Sequence, residues 1–587
     1  MKAGTRPRLL VACLLACSTA ACGSGRRPSS ILLVTLDTTR ADRIGCYGRA
    51  DAGTPALDAL AARGARFERA YTTAPITLPA HASLLTGSYP PYHGLRDNGL
   101  AALDESVETL AETCRRAGLR TAAAVSGLPV ARTFGLAQGF ELYDDEFPPA
   151  QGGASGAIRE RRGDATVRAA RAWLETLAPD EPFFLWVHLF DPHEPYQAPA
   201  EFARRLPGDP YQAEVSFADS SLGDLVAALA GLERRDDTLV CVAADHGEGL
   251  GEHGEDTHAL LLYDSTLRVP LILAGPGIEP RVVGAPVSLA DVAATLVELA
   301  AIEDGGTFSS RAGRSLVPLL HGEALAAREL YFESFFPRLH FGWSELVGLA
   351  GEDWKYVEAP GARAEDESVR AELFAPRADP SERADQSTAR ADVTRALGND
   401  LRDLRVRLES SAAPRARRTQ TQGELDELAA LGYGGADVLA ELPGAEAAPE
   451  PGRDPRLVVE AVRLLNQVRA QAGAGEFEAA AEAVGRIEAL QPGEVLVHEA
   501  RGDYHLARGR NGARAELEQA ALEFAAANEL EPGRRGLWLR RFEVLKALGR
   551  LEEALACLDR AFDLAPPTPE FIQARDELRR RLESGGR

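Results

Sequence analysis

"ILLVTLD", residues 31–37, is an unbroken apolar run closed by an aspartate. A short run of this kind reads as a strand buried on both faces of a parallel sheet, with Asp37 at its carboxyl end. Outward from it, helical and strand patterns alternate. "ALDALAARGARFERA" (56–70) reads as helix, "TAAAVSG" (121–127) as strand, and "ATVRAARAWLETLA" (165–178) as helix. "PFFLWVHLF" (182–190) reads as strand, "SSLGDLVAALAGLERR" (220–235) as helix, and "DTLVCVAADHGE" (237–248) as strand. Alternation of this sort predicts an α/β sandwich around a mostly parallel sheet. Asp37, Asp191 and Asp245 fall at strand ends, where open α/β sheets place their ligands.

Past residue 329 the pattern changes to short strands ("ELYFESF", "ELVGLAGEDWKYVEA", "AELFAPRADPSE"), which predicts a small C-terminal subdomain on the same globule. Residues 31–412 are therefore read as one catalytic unit and 413–456 as a linker. Residues 457–587 repeat: three helical segments close on Pro492, Pro532 and Pro566, spaced 40 and 34 residues apart. A 34-residue helix–turn–helix period with an Ala-rich second helix is similar to tetratricopeptide repeats, which implies an all-α region able to dock a protein or peptide.

A chain of 587 residues exceeds one ordinary domain, and its net charge of −23 supplies no basic field for nucleic acid. Residues 1–22 have a basic start, a short apolar core and small residues before a cysteine, the pattern of a secretory signal. "STAAC" resembles a bacterial lipoprotein signal. This implies lipidation at Cys22, with Cys17 as the alternative, a short tether over 23–30, and an exported, envelope-facing protein held at a membrane. Cys46, Cys114, Cys241 and Cys557 show no metal-type spacing.

Nine of the eleven histidines lie between His81 and His340, mostly in short polar motifs. The motifs are "TLPAHASLLTG" (Thr77, His81), "HLFDPHEPY" (His188, Asp191, His193) and "ADHGEGLGEHGEDTH" (Asp245, His246, His253, His258). Carboxylates and imidazoles brought to one sheet edge are what a divalent cation requires.

Taken with "LLVTLDTTRADRIGCYG" (32–48), "YDSTLRVPLIL" (263–273) and "ELFAPRADPSE" (372–382), these blocks resemble the sulfatase family of the alkaline-phosphatase superfamily over residues 31–410. The resemblance implies a large α/β domain with a smaller C-terminal subdomain and a metal-dependent ester hydrolase. It places Asp37, Thr77, Asp245 and His246 around one divalent ion (calcium, zinc or manganese). Asp191, His193 and His258 either form a second metal site or bind substrate and exchange protons; His81 orients Thr77 or neutralises the ester's charge.

The departures bear on mechanism. Sulfatases carry Cys or Ser in a C/S-x-P-x-R pattern, and that residue becomes formylglycine. Here the pattern reads Thr77-Leu78-Pro79-Ala80-His81. The threonine methyl on Cβ prevents oxidation to an aldehyde, so no formylglycine is expected. Thr38 stands where a second aspartate often follows the first-strand Asp. A sulfated threonine has no carbonyl to collapse to. A phosphorylated one is cleared by in-line attack of water at phosphorus. Thr77 as an alcohol nucleophile therefore favours phosphate over sulfate esters. The competing expectations are an inactive sulfatase fold working through its repeats, and a transferase moving a phospho-substituent onto an envelope glycan or lipid.

Overall fold

The structure is a computed structural model that describes residues 28–99, 101–148, 159–363, 371–414, 416–417, 424, 428, 452–510, 513–564 and 569–584. The signal and lipidation expectations (residues 1–22, Cys17 and Cys22) and most of the expected linker lie outside the described residues.

Strands β1 (Ser30–Leu36), β2 (Ala65–Tyr71), β3 (Ala101–Ala102), β4 (Arg120–Ala124) and β5 (Leu142–Asp144) open the chain. They are followed by β6 (Phe183–Leu189), β7 (Thr238–Ala244), β8 (Arg268–Val269), β9 (Leu271–Ala274) and β10 (Arg281–Ser288). Nine of these form one mixed sheet in the order β10-β2-β9-β7-β1-β6-β4-β5, with β8 beside β2. The run β7-β1-β6-β4-β5 is parallel, and β1, β6 and β7 are buried at every residue, as continuous apolar strands between two helical layers must be.

Register sets the site. Leu36 of β1 pairs with Ala244 of β7, and Thr35 pairs with His188 of β6. Asp37 and Asp245, one residue further on, therefore leave the sheet side by side. The architecture agrees with the α/β expectation, with one local correction. The stretch read as a helix over 56–70 is a helix only over Pro55–Ala62 and then becomes β2. Gly64 divides the two; a Cβ there would meet the Leu273 carbonyl oxygen at 2.2 Å. In β2 the buried Ala65, Phe67 and Arg69 alternate with half-buried Arg66 and Glu68, a period of two that ends the helix.

The smaller sheet is antiparallel: β11 (Leu330–Ser334), β12 (Leu346–Ala350), β13 (Lys355–Glu358) and β14 (Ala371–Phe374). The helix Ala391–Ser410 packs on it. Strand β15 (Ala416–Arg417) then pairs with β3.

The C-terminal region is all helical: Pro455–Ala474, Phe477–Leu490, Val495–Gly509, Arg514–Leu530, Arg535–Leu548, Leu551–Leu564 and Pro569–Glu583. Successive helices pack on one another, closely where Gly502 leaves room for the Phe524 ring, 2.7 Å from where a Cβ would stand.

The first of these helices is joined to the catalytic region. Val458, Val459, Leu464 and Leu465 belong to the same apolar core as the large sheet. The Val459 side chain lies against Gly254, where an added Cβ would be 3.3 Å from its methyl. Arg456 bridges to Glu372 of β14 at 3.0 Å, and Glu372 accepts the Tyr263 hydroxyl at 3.1 Å. Val459→Asp, which places a carboxylate in this dry contact, is expected to cost about 3 kcal/mol or more. A shift of the urea midpoint measured on the full chain checks it, and an unchanged midpoint refutes the docking.

Candidate active site

The helix Thr77–Thr86 follows β2, and every one of its ten residues is buried. Thr77 stands in its first turn, at the positive end of the helix dipole, which favours an anion. The Leu78 N–H donates to Asn98 Oδ1 at 2.8 Å, which ties the loop before β3 to the helix start. The Asn98 Nδ2 is buried without a partner. An amide group held by its oxygen thus leaves its two N–H donors beside Thr77.

Thr77 Oγ1 lies 3.4 Å from His246 Nε2. His246 Nδ1 is 2.9 Å from the Gly247 carbonyl, so the proton resides on Nδ1 and Nε2 offers a lone pair. The same Nε2 is 3.6 Å from Asp245 Oδ2 and 3.9 Å from Asp37 Oδ1. Both of those oxygens are buried and lack hydrogen-bond partners. Each carboxylate is otherwise committed. Asp245 Oδ1 accepts the N–H groups of Thr38 (3.2 Å) and His246 (2.7 Å), and Asp37 Oδ2 faces His188 Nε2 at 3.2 Å.

Two orphaned carboxylate oxygens, a bare imidazole nitrogen and a hydroxyl thus converge with no exposure at any of the four residues. Burial pushes both carboxyls well above the usual range; the Glu248 charge adds to this at Asp37, and the Asp37 charge adds to it at Asp245. Burial also holds His246 well below its usual pKa. Such a group is costly alone and fits a divalent cation, which offsets both charges and satisfies the orphaned atoms. Two carboxylates with one nitrogen make a mixed oxygen and nitrogen donor set for a divalent ion.

His81, His188 and Asp245 also bring one ligand atom each into a compact group. His81 is already committed, however. Its Nδ1 donates to the Thr77 carbonyl at 2.8 Å. Its Nε2 accepts from Thr35 Oγ1 at 3.0 Å, and Thr35 in turn accepts the Trp186 indole N–H at 3.0 Å. With both nitrogens used and burial holding its pKa well down, His81 stays neutral and fixes the helix turn that carries Thr77.

The other expected residues divide. His246 and His258 have ring centroids 4.5 Å apart, and His258 and His193 have theirs 5.2 Å apart, so these rings continue the row away from Thr77. His258 Nδ1 is 2.9 Å from Glu248 Oε1, and Glu248 Oε2 accepts the Tyr196 hydroxyl at 3.0 Å. Burial lifts the Glu248 carboxyl to about 8. His193 donates from Nδ1 to the Glu194 carbonyl at 2.7 Å and keeps a buried, unpartnered Nε2. Burial lowers His193 to about 3 and His258 to about 4. Exposure rises from 0 % at Thr77 and His246 to 5 % at His193 and 7 % at His258, so the mouth lies on their side.

Asp191 does not join them. It accepts the Gly163 N–H at 3.0 Å at the start of the helix Gly163–Leu174, and burial raises its carboxyl to about 7. Only Oδ1 is committed to that helix start, and Oδ2 is buried without a hydrogen-bond partner. His253 stacks on Tyr263 at 3.6 Å and belongs to the contact with the helical region.

Several residues escaped sequence reasoning. Glu248, Tyr196 and Arg40 sit inside the motif blocks but carried no assigned role. The Arg40 guanidinium donates to the Glu248 and Gly249 carbonyls and to Glu252, clamping the β1 and β7 loops together. Thr35 and Trp186 lie inside quoted strands without an assigned role, and Tyr211 lies in no motif block.

Residues 29–302 match the Sulfatase family. The uncharacterized sulfatase YidJ of Escherichia coli is 28% identical over 344 residues, 47% of this chain and 69% of that protein. Choline-sulfatase of Rhizobium meliloti is 28% identical over 380 residues, 52% of this chain and 73% of that protein. The phosphonate monoester hydrolase of Agrobacterium radiobacter superposes with a TM-score of 0.54 at 21% identity, covering 67% of this chain and all of that one, a likeness of fold. Residues 29–302, the part of the chain that carries the site, are thus similar to the sulfatase family of ester hydrolases.

Proposed function

We propose that the protein is a divalent-cation-dependent ester hydrolase in which Thr77 is an alcohol nucleophile, and that phosphate esters suit it better than sulfate esters. One observation carries the reading: Thr77 Oγ1 stands 3.4 Å from the bare His246 nitrogen, at the edge of the group formed with the unpartnered Asp37 Oδ1 and Asp245 Oδ2. Asp37, Asp245 and His246 would hold the cation. When bound, it supplies the charge that lowers the pKa of a nearby hydroxyl and offsets charge on the transferring group.

The residues of the chain supply the rest. Thr77 Oγ1 attacks phosphorus as the bond to the leaving oxygen breaks, and the leaving oxygen takes up a proton. Asn98 Nδ2 and the start of the helix Thr77–Thr86 orient the anionic group. His193 and His258, on the open side, meet the leaving group; an anion within hydrogen-bond reach favours their protonated forms. Water then attacks phosphorus from the vacated side, the bond to Thr77 Oγ1 breaks, and the hydroxyl regains its proton. The same steps on sulfate would end at a threonine sulfate with no carbonyl collapse to release it, which is the chemical basis for preferring phosphorus. Relatives are named as sulfatases and one fold neighbour as a phosphonate monoester hydrolase, so both ester classes belong in the test.

The N-terminal pattern supports export and lipid anchoring at Cys22. The spacing of Pro492, Pro532 and Pro566 supports a tetratricopeptide array that recruits a protein or peptide to the enzyme. The deciding assay offers the manganese- or zinc-loaded full chain matched aryl sulfate, phosphate monoester and phosphodiester substrates. Phosphoester turnover exceeding sulfate turnover is the expected result. Sulfate turnover that dominates overturns the preference, and no turnover with stoichiometric metal bound returns the weight to the binding-protein reading.

A further inference from the structure

Thr38 has a φ of +46°, a left-handed conformation that a β-branched residue adopts only under constraint. It is fully buried between Asp37 and the β7 loop. Two hydrogen bonds hold it there. Its N–H donates to Asp245 Oδ1 at 3.2 Å, and its carbonyl accepts the Tyr211 hydroxyl at 2.6 Å. The same phenol oxygen accepts the Arg40 N–H at 3.0 Å, so one side chain serves the backbone on both sides of Thr39.

Tyr211 is itself fixed. It sits in the first turn of the helix Pro210–Gly231 and is 2 % exposed. The next residue, Gln212, donates through its amide to the Arg43 and Ala52 carbonyls, and Asp209 pairs with Arg43 at 3.0 Å. The helix start is thus riveted to the loop after β1.

We propose that Tyr211 is a positioning residue for the cation group: its phenol pins Thr38 in the left-handed turn, so that the Thr38 N–H holds Asp245 Oδ1 and leaves Oδ2 facing Asp37 Oδ1 and His246 Nε2. This inference rests on the cation reading above. Without the phenol, the Thr38 carbonyl loses a buried donor, the residue relaxes toward negative φ, and its N–H leaves Asp245. The carboxylate then turns freely, and the arrangement must be reassembled each time a cation binds. Partners that orient metal ligands from outside typically account for about 10- to 100-fold in affinity.

The test is calorimetric titration of zinc and of manganese into the metal-free full chain, for the wild type, Tyr211→Phe, Thr38→Gly and the double variant. Tyr211→Phe removes one oxygen and keeps the ring, including its edge contact with Tyr196 at 5.4 Å. The expected result is unchanged stoichiometry with affinity about 10- to 100-fold weaker. Glycine adopts positive φ without constraint, so in the Thr38→Gly background the further loss from Tyr211→Phe is expected to shrink to about threefold or less. Tyr211→Phe binding within about threefold of wild type, or an equal loss in both backgrounds, overturns the inference while leaving the cation reading intact. If Tyr211→Phe does not fold, the double variant is expected to fold and to bind within about threefold of Thr38→Gly, and a tenfold deficit there overturns the inference. A wild type that binds neither metal overturns both.

Discussion

Thr77→Ala is expected to reduce turnover of the preferred ester by about a thousandfold or more, while stoichiometric cation binding survives. The alcohol is the only side-chain nucleophile at the start of the helix Thr77–Thr86, and no neighbour replaces it. Ser83 is turned toward Thr73 and His93, with 2.7 Å and 3.0 Å contacts. Thr86 is engaged with the Ala82 carbonyl and with Ser88, both at 2.6 Å. Asp37, Asp245 and His246 remain in place without Thr77 because their positions come from strand register and from backbone donors, not from its hydroxyl. Thr77→Ser keeps the alcohol and is expected to retain most of the activity. Mass spectrometry of wild type quenched during turnover should find the transferred group on Thr77. Undiminished turnover by Thr77→Ala would mean that water attacks directly and that Thr77 only completes the cation group.

The fold was legible because apolar strands are unambiguous when they are continuous. "ILLVTLD", "PFFLWVHLF" and "TLVCVAA" contain the three strands buried on both faces, and their order around β1 puts Asp37 and Asp245 side by side. Where burial is one-sided the reading was weaker. "ARFERA" carries a period of two inside a stretch that also suits a helix, and contact between Gly64 and the β9 backbone decides the matter. The set Asp37, Thr77, Asp245 and His246 came from the family resemblance, and these side chains meet because each stands at the end of a strand or the start of a helix. Asp191 is harder to read: a carboxylate after a strand serves a helix N-terminus as readily as a cation, and here Oδ1 accepts the Gly163 N–H while Oδ2 has no partner. Tyr211 was invisible, since its role depends on which turn its hydroxyl meets across a separation of 173 residues.

Asp245→Asn separates charge from shape and is expected to have opposite effects on the metal-free and metal-bound proteins. The asparagine Oδ1 keeps the N–H bonds from Thr38 and His246, so the loop holds its course. Its Nδ2 replaces the bare Oδ2, removing one charge and turning a donor toward the cation position. Affinity for zinc or manganese is expected to fall by more than about 100-fold, beyond the loss typical of an outer partner. The metal-free protein, in contrast, no longer sets a second carboxylate against Asp37 and is expected to melt at a higher temperature than metal-free wild type.

The pH dependence has a definite sign. Asp37 and Asp245 have folded-state pKa values raised above their unfolded values. The metal-free fold therefore binds more protons than the unfolded chain once pH rises above the ordinary carboxylate pKa, and loses stability as pH climbs toward the raised values. A cation requires both groups ionised, so its binding releases protons and strengthens over the same range. Melting with and without chelator, from pH 5 to 8, should show the metal-induced gain widening with pH in wild type and nearly absent in Asp245→Asn. A gain that is flat with pH, or equal in the variant, would mean that the cation is held elsewhere and that these two carboxylates are not its ligands.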